Sequence, residues 1–428
     1  MSRAGGARVG RPAPAGLVAG YFAAALAFWV AATVVLALAA PELAAGAVAA
    51  PEVLLAVHLV ALGFLPLAVT GGALHVLPTL LRNDASVWRG RLALPLLCAG
   101  PALAVGIARD LEPLVWPAAL LETLGFALVA WEFSAFALRA PSGRMLLASR
   151  SGVLLSTLHA AAALVFGAAL AARGWRPLWG IPHERAIAIH LHLAVLGWLT
   201  LLLAVGRTLG PMLALAPAAS RRRAPLEELA LTVGLWLLLI GLALGRRPLE
   251  LAGAVIALLA VGRFAALMAR VAREHRLDVP EGPLLHVAAG LFFLAQAAVI
   301  GIGMLLGLNA TPRRLTAYVV ALLVGWAAGA TLGHVGKLLS LSAWTWWPPG
   351  PRPKQAALYP RRLWRVEAAS FVAGVESVVV GTLAGSSAAV AAGAALLVAS
   401  AAAACVAASV TVRAGRPALR LRSAVLRA

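Results

Sequence analysis

The chain has 428 residues, 62% of them hydrophobic and 12% charged, and a mean hydropathy of +0.91. No soluble domain can hide that much apolar surface. The formal charge of +20 would suit a nucleic-acid binder, but the basic residues sort by side of a membrane, and that excludes nucleic acid as the partner.

Apolar runs of 18 residues or more read as membrane-crossing helices, because about 20 residues at 1.5 Å rise span the hydrocarbon. In chain order they cover roughly 15–40, 52–81, 91–109, 113–138, 146–172, 186–216, 227–245, 248–270, 283–308, 315–344, 363–384 and 387–412. The basic first fifteen residues lead into the first run without a cleavage site, so that run is expected to stay as a helix. Twelve crossings make an all-α polytopic membrane protein, one transmembrane domain over 1–428. The segment Trp346 to Arg362, with Trp-Trp-Pro-Pro-Gly-Pro-Arg-Pro, reads as an interfacial loop anchored by tryptophan. Cys98 and Cys405 lie in the third and twelfth spans, and there is neither CxxC nor CxxCH. Covalent heme attachment and a thiolate metal cluster are thereby excluded.

The second span contains His58-Leu-Val-Ala-Leu-Gly63-Phe64 and continues to Gly72 and Pro78. The sixth contains His192-Leu-Ala-Val-Leu-Gly197-Trp198 and continues to Gly206 and Pro211. The tenth carries a worn copy, Gly325-Trp326 and then Gly333-His334, with Val320 in place of the leading histidine. The copies are 134 and 128 residues apart. The repeating unit is therefore four helices, with units at about 15–138, 146–270 and 283–412. An even number of crossings per unit gives every copy the same direction. The expected arrangement is three pseudo-threefold four-helix arcs, with the second, sixth and tenth helices facing inward.

An intramembrane histidine marks a functional site by default. His58, His190 and His192 fall near the outer ends of their helices, and His75 and His334 near the inner ends. His58 and His75, 17 residues apart, are separated by about 25 Å of helix and cannot share a site. His190 and His192 point about 200° apart, so one of them at most faces the bundle axis. His159 and His286 read as structural polar contacts, and His183 and His275 as loop residues. The carboxylates Glu122, Glu132, Glu367 and Glu376 need partners or protons, and Arg207, Arg263 and Lys337 are candidates. Arg207 and Lys337 beside His75 and His334 form a cationic cluster able to hold propionates or an anion.

Twelve helices with histidines on the second, sixth and tenth resemble the main subunit of the heme–copper oxygen and nitric oxide reductases. His58, Gly71-Gly72 and Pro78 are similar to that family's second helix, whose histidine binds the low-spin heme. His190-Leu-His192-Leu-Ala-Val-Leu-Gly197-Trp198 looks like its His-x-His helix, which normally occupies the tenth position. The chain departs from the pattern elsewhere. The seventh span lacks the adjacent copper-binding histidines, no tyrosine stands four residues after His190 or His192, and Thr316-Ala317-Tyr318 replaces the tenth-helix His-x-His. The resemblance thus implies a noncovalent heme b without an intact copper site, in respiratory electron transfer or O2/NO binding, as a divergent oxidoreductase. His58 with His192 or His190 would ligate the heme iron, or His58 alone, and His75 and His334 are further cofactor-binding candidates. Other respiratory subunits or a cytochrome would be partners. The alternative is a proton-coupled or small-solute transporter on the same scaffold.

Of the 36 Lys and Arg, 26 lie on the side that holds both termini and eight on the other. By the positive-inside rule the chain is a multi-pass protein of a bacterial-type cytoplasmic (inner) membrane, with both termini cytoplasmic and anionic lipid beside the basic loops. A C-terminal reporter that works only outside the cytoplasm is expected to stay silent; strong activity would reverse the orientation and exchange the two histidine groups.

Overall fold

The computed structural model describes residues 10–141, 144–173, 176–200, 224–274, 282–308 and 310–417. Among them, eleven helices are long and apolar enough to cross a membrane. They are α1 (Ala15–Leu38), α2 (Pro51–Leu81), α3 (Val87–Ala108), α4 (Glu112–Arg139), α5 (Arg144–Arg173), α7 (Ala224–Leu244), α8 (Arg247–Glu274), α9 (Gly282–Leu305), α10 (Pro312–Thr345), α11 (Arg361–Ala384) and α12 (Ser387–Ala414). Between α5 and α7, α6 begins with His183–His192 and continues as Leu193–Thr200. The rest of the expected sixth span, with Gly206, Arg207 and Pro211, lies outside the described residues, as does His275. The chain is thus an all-α polytopic membrane protein. Below, "inner" means the side on which α1 begins.

The repeat seen in the sequence has a backbone counterpart. Directly after His58, α2 widens into a π-helical stretch, Leu59–Phe64. Directly after His192, α6 does the same over Leu193–Thr200. In α10 the stretch is Val320–Ala328, starting at the residue that replaces the histidine. Such stretches are rare and gather at functional sites. The stretches of α2 and α6 both pack on that of α10.

The glycine of each copy has a matching role. A Cβ on Gly63 would lie 2.9 Å from Phe28 of α1, one on Gly197 2.7 Å from His159 of α5, and one on Gly325 2.6 Å from Phe293 of α9. In each unit a ring on the first helix fills a notch in the second. Without a hydrophobic drive between helices in lipid, such close approach supplies the association energy. Eight residues further on, Gly71 receives Tyr21 and Gly333 receives His286.

α10 carries two more notches on another side. Gly329 accepts Phe371 and Gly336 accepts Trp364, both from α11. This helix is enclosed all round: 83% of its most apolar window is buried, against 61% for α2 and 22% for α8. Its composition fits, since a helix surrounded by others has no polar face to spare. Replacing Gly325 with Ala is expected to lower the thermal midpoint of the purified protein by the equivalent of about 1–3 kcal/mol, the usual cost of overpacking. Gly262→Ala, where a Cβ meets nothing within 4 Å, should be neutral or slightly stabilising in the same detergent.

Candidate histidine–tyrosine site

The outer site is assembled where α2, α6 and α10 enter their π-helical stretches. His58 Nδ1 lies 2.8 Å from the carbonyl of Leu54, one turn back. His192 Nδ1 lies 2.6 Å from the carbonyl of Ala188 in the same way. A carbonyl can only accept, so both rings carry their proton on Nδ1 and leave a lone pair on Nε2. That is the form in which an imidazole binds a metal, with its second nitrogen donating to a backbone carbonyl. The repeated histidines therefore share tautomer as well as position.

What the two lone pairs meet differs. The Tyr318 hydroxyl of α10 donates to His192 Nε2 at 2.7 Å, and the rings lie 5.9 Å apart. Tyr318 stands in the segment that replaces the second His-x-His; it closes the site from the third helix. His58 Nε2 has no hydrogen-bond partner among the described residues. His190 turns away from His192, as the two-residue spacing requires. Its Nδ1 donates to the Ala163 carbonyl of α5 at 2.9 Å, and its ring rests on Gly167, whose Cβ would be 2.9 Å from Cε1. His58 and His190 are within electrostatic reach of each other, so the structure brings three of the predicted residues and Tyr318 to one region.

The donor set suits one axial imidazole better than two. His58 offers a fixed, unengaged lone pair. His192 would have to give up Tyr318 before it could reach iron. No group of three or more His, Cys, Asp or Glu with metal-ligating spacing occurs among the described residues. The apolar recess between α1, α2 and α10, lined by residues that include Val53, Val57, Thr316 and Val320, lies beside this region.

The inner histidines fall into a separate group. His75 is 4% exposed and its Nδ1 has no hydrogen-bond partner among the described residues. His334 donates Nδ1–H to the Ala330 carbonyl at 2.7 Å and lies near His286. Lys337 is buried, with its ammonium 5.6 Å from the centre of the Tyr359 ring. Arg207 of the expected cationic cluster is outside the described residues. Of the remaining histidines, His159 is fully buried and donates Nδ1–H to the Leu155 carbonyl, and His183, expected in solvent, is half-buried at the start of α6.

The carboxylates find partners that sequence spacing did not indicate. Glu132 pairs with Arg89 at 2.5 Å, and that guanidinium also lies over Trp131. Glu367 is hydrogen-bonded by His286 and Ser400, and Glu376 by Gln296 at 3.2 Å. Arg263 instead pairs with Glu227 at 2.8 Å. The carboxylate of Glu122, 1% exposed, lies by the backbone of Gly100 and has no side-chain hydrogen-bond partner among the described residues.

Tyr318→Phe removes the donor to His192 and leaves a buried lone pair. A loss of about 1–3 kcal/mol is expected in equilibrium unfolding. Combined with His192→Phe, the Tyr318→Phe change should cost much less than it does alone; additive losses would mean that the hydrogen bond contributes nothing.

The chain matches no family model and no curated protein sequence, so the geometry of the site carries the functional reading.

Proposed function

We propose that the chain is a heme-binding integral membrane protein of the heme–copper oxidase subunit I type, serving respiratory electron transfer or O2/NO binding without an intact copper site. In this reading its helices form three four-helix arcs in a bacterial-type inner membrane, with both termini cytoplasmic and with other respiratory subunits or a cytochrome as partners. The observation that carries it is the unengaged Nε2 of His58, held in the ligating tautomer by the Leu54 carbonyl at the mouth of a π-helical stretch.

A noncovalent b-type heme bound there would supply one-electron transfer or diatomic-gas binding, with its potential tuned by the axial ligand. The chain's own part is to orient the imidazole and to raise its basicity through the Nδ1–H bond. Tyr318 holds His192 in reserve. His58 would therefore hold the group alone unless His192 gave up that hydrogen bond. His190, tied to Ala163, is the further alternative.

A reduced-minus-oxidised absorbance spectrum of the purified protein tests the reading. The arrangement of the rings leads us to expect that His58→Ala abolishes the Soret band and that His192→Ala retains it. Loss in both would favour shared ligation. Absence of heme from intact, well-folded protein would reject the proposal and favour the transporter alternative.

A further inference from the structure

The inner half of the bundle holds a second polar centre, in which α9, α11 and α12 meet. His286 and Glu367 both have fully buried side chains, and Nε2 lies 2.7 Å from Oε2. Ser400 of α12, fully buried as well, donates its hydroxyl to Oε1 at 2.9 Å. The ring of His286 is fixed on two sides. It sits in the Gly333 notch of α10, where a Cβ would be 2.4 Å away, and it packs on Phe371 with centroids 5.2 Å apart. Its Nδ1 is buried and has no hydrogen-bond partner among the described residues.

Proton counting makes this arrangement informative. With Nε2–H donating to the carboxylate and Nδ1 bare, the pair carries a net charge of −1. A net charge in a low-dielectric interior is costly unless it is compensated. One added proton on Nδ1 turns the pair into imidazolium and carboxylate, net neutral, with every existing hydrogen bond kept. The Ser400 bond favours the ionised carboxylate in both states. On α11 itself Arg361, Arg362 and Arg365 precede Glu367 by six, five and two residues. α8 meets α9 here through Met268 and Val271, which are apolar. α10 brings His334 within electrostatic reach and carries Lys337 one turn beyond Gly333. Glu376, the other carboxylate of the α9–α11 seam, is held by Gln296 nine residues along α11, about 13 Å away.

We infer that His286 and Glu367 form a proton-binding site, with the exchangeable proton taken up on His286 Nδ1 and the Glu367 carboxylate as its counter-charge. The ligand is a proton; no other bond forms or breaks on binding. Glu367 lies six residues into α11, about 9 Å along the helix, so exchange takes place with the inner face. The site goes beyond the heme reading and needs nothing from it, since none of its residues belongs to the His58 region.

Infrared difference spectra of the full-length protein with isotope-labelled histidine, recorded over a wide pH range, test it. Imidazolium bands that appear as pH falls, together with uptake of one proton, are expected in wild type. Glu367→Gln should abolish the part of that change that His286→Phe also removes, and Ser400→Ala should keep that part while shifting the carboxylate bands. A wild-type change identical to that of His286→Phe would overturn the inference, and so would an undiminished His286 change in a folded Glu367→Gln. If Glu367→Gln does not fold, Ser400→Ala decides: carboxylate bands identical to wild type reject the site. The absorbance of the same samples reports the heme separately, so failure of one reading is not mistaken for failure of the other.

Discussion

Close packing of rings into glycine notches is the constraint on which the rest depends. In a bilayer, two apolar helices gain little from meeting unless they approach more closely than their lipid neighbours would. α10 meets this demand with Gly325, Gly329, Gly333 and Gly336, which accept Phe293 and His286 from α9 and Phe371 and Trp364 from α11. Each ring is thereby set in depth and rotation. Two of the four notches do more than pack. Gly325 lies within the π-helical stretch that follows Tyr318, and Gly333 aims His286 at Glu367.

The repeat explains why polar chemistry gathers at two depths. In the outer half, each copy of the motif brings a helix to the same place with the same widened backbone. Two copies keep a histidine there, and the third offers Tyr318 two residues before the vacated position. The result is a hydrogen bond that joins α6 to α10 through His192 and Tyr318, beside His58 of α2, which bonds to its own helix. In the inner half, the third unit has put a histidine into the notch that Tyr21 fills in the first. A ring packed for stability became a ring with a titratable nitrogen.

Much of this was legible in the sequence, and the remainder was hidden for definite reasons. Length and hydropathy were enough for the helices, because a crossing requires a fixed number of apolar residues. The position of the outer site followed from His58 and His192 being five residues before Gly63 and Gly197. The opposed directions of His190 and His192 followed from helical geometry. The π-helical stretches had no sequence signature of their own, since they answer to packing against a neighbouring helix. Tyr318 read as the absence of a ligand because the comparison was with histidine, whereas a phenol can meet the same lone pair as a donor. The partners of Glu367 could not be inferred from local spacing: His286 is 81 residues away and Ser400 33. A signal was nonetheless present, since His286 precedes Phe293 by the same seven residues that separate Tyr21 from Phe28.

The central claim is that the fold fixes the tautomer of its repeated histidines and so presents Nε2 as a lone pair. Nitrogen-15 magnetic resonance of histidine-labelled protein tests it most directly, with His58 and His192 assigned by single replacement. The account predicts that both carry hydrogen on Nδ1, with the Nε2 signal of His192 displaced by the Tyr318 hydrogen bond and returned by Tyr318→Phe. Protonation of Nε2 at His58, the form favoured by free histidine in water, would contradict it.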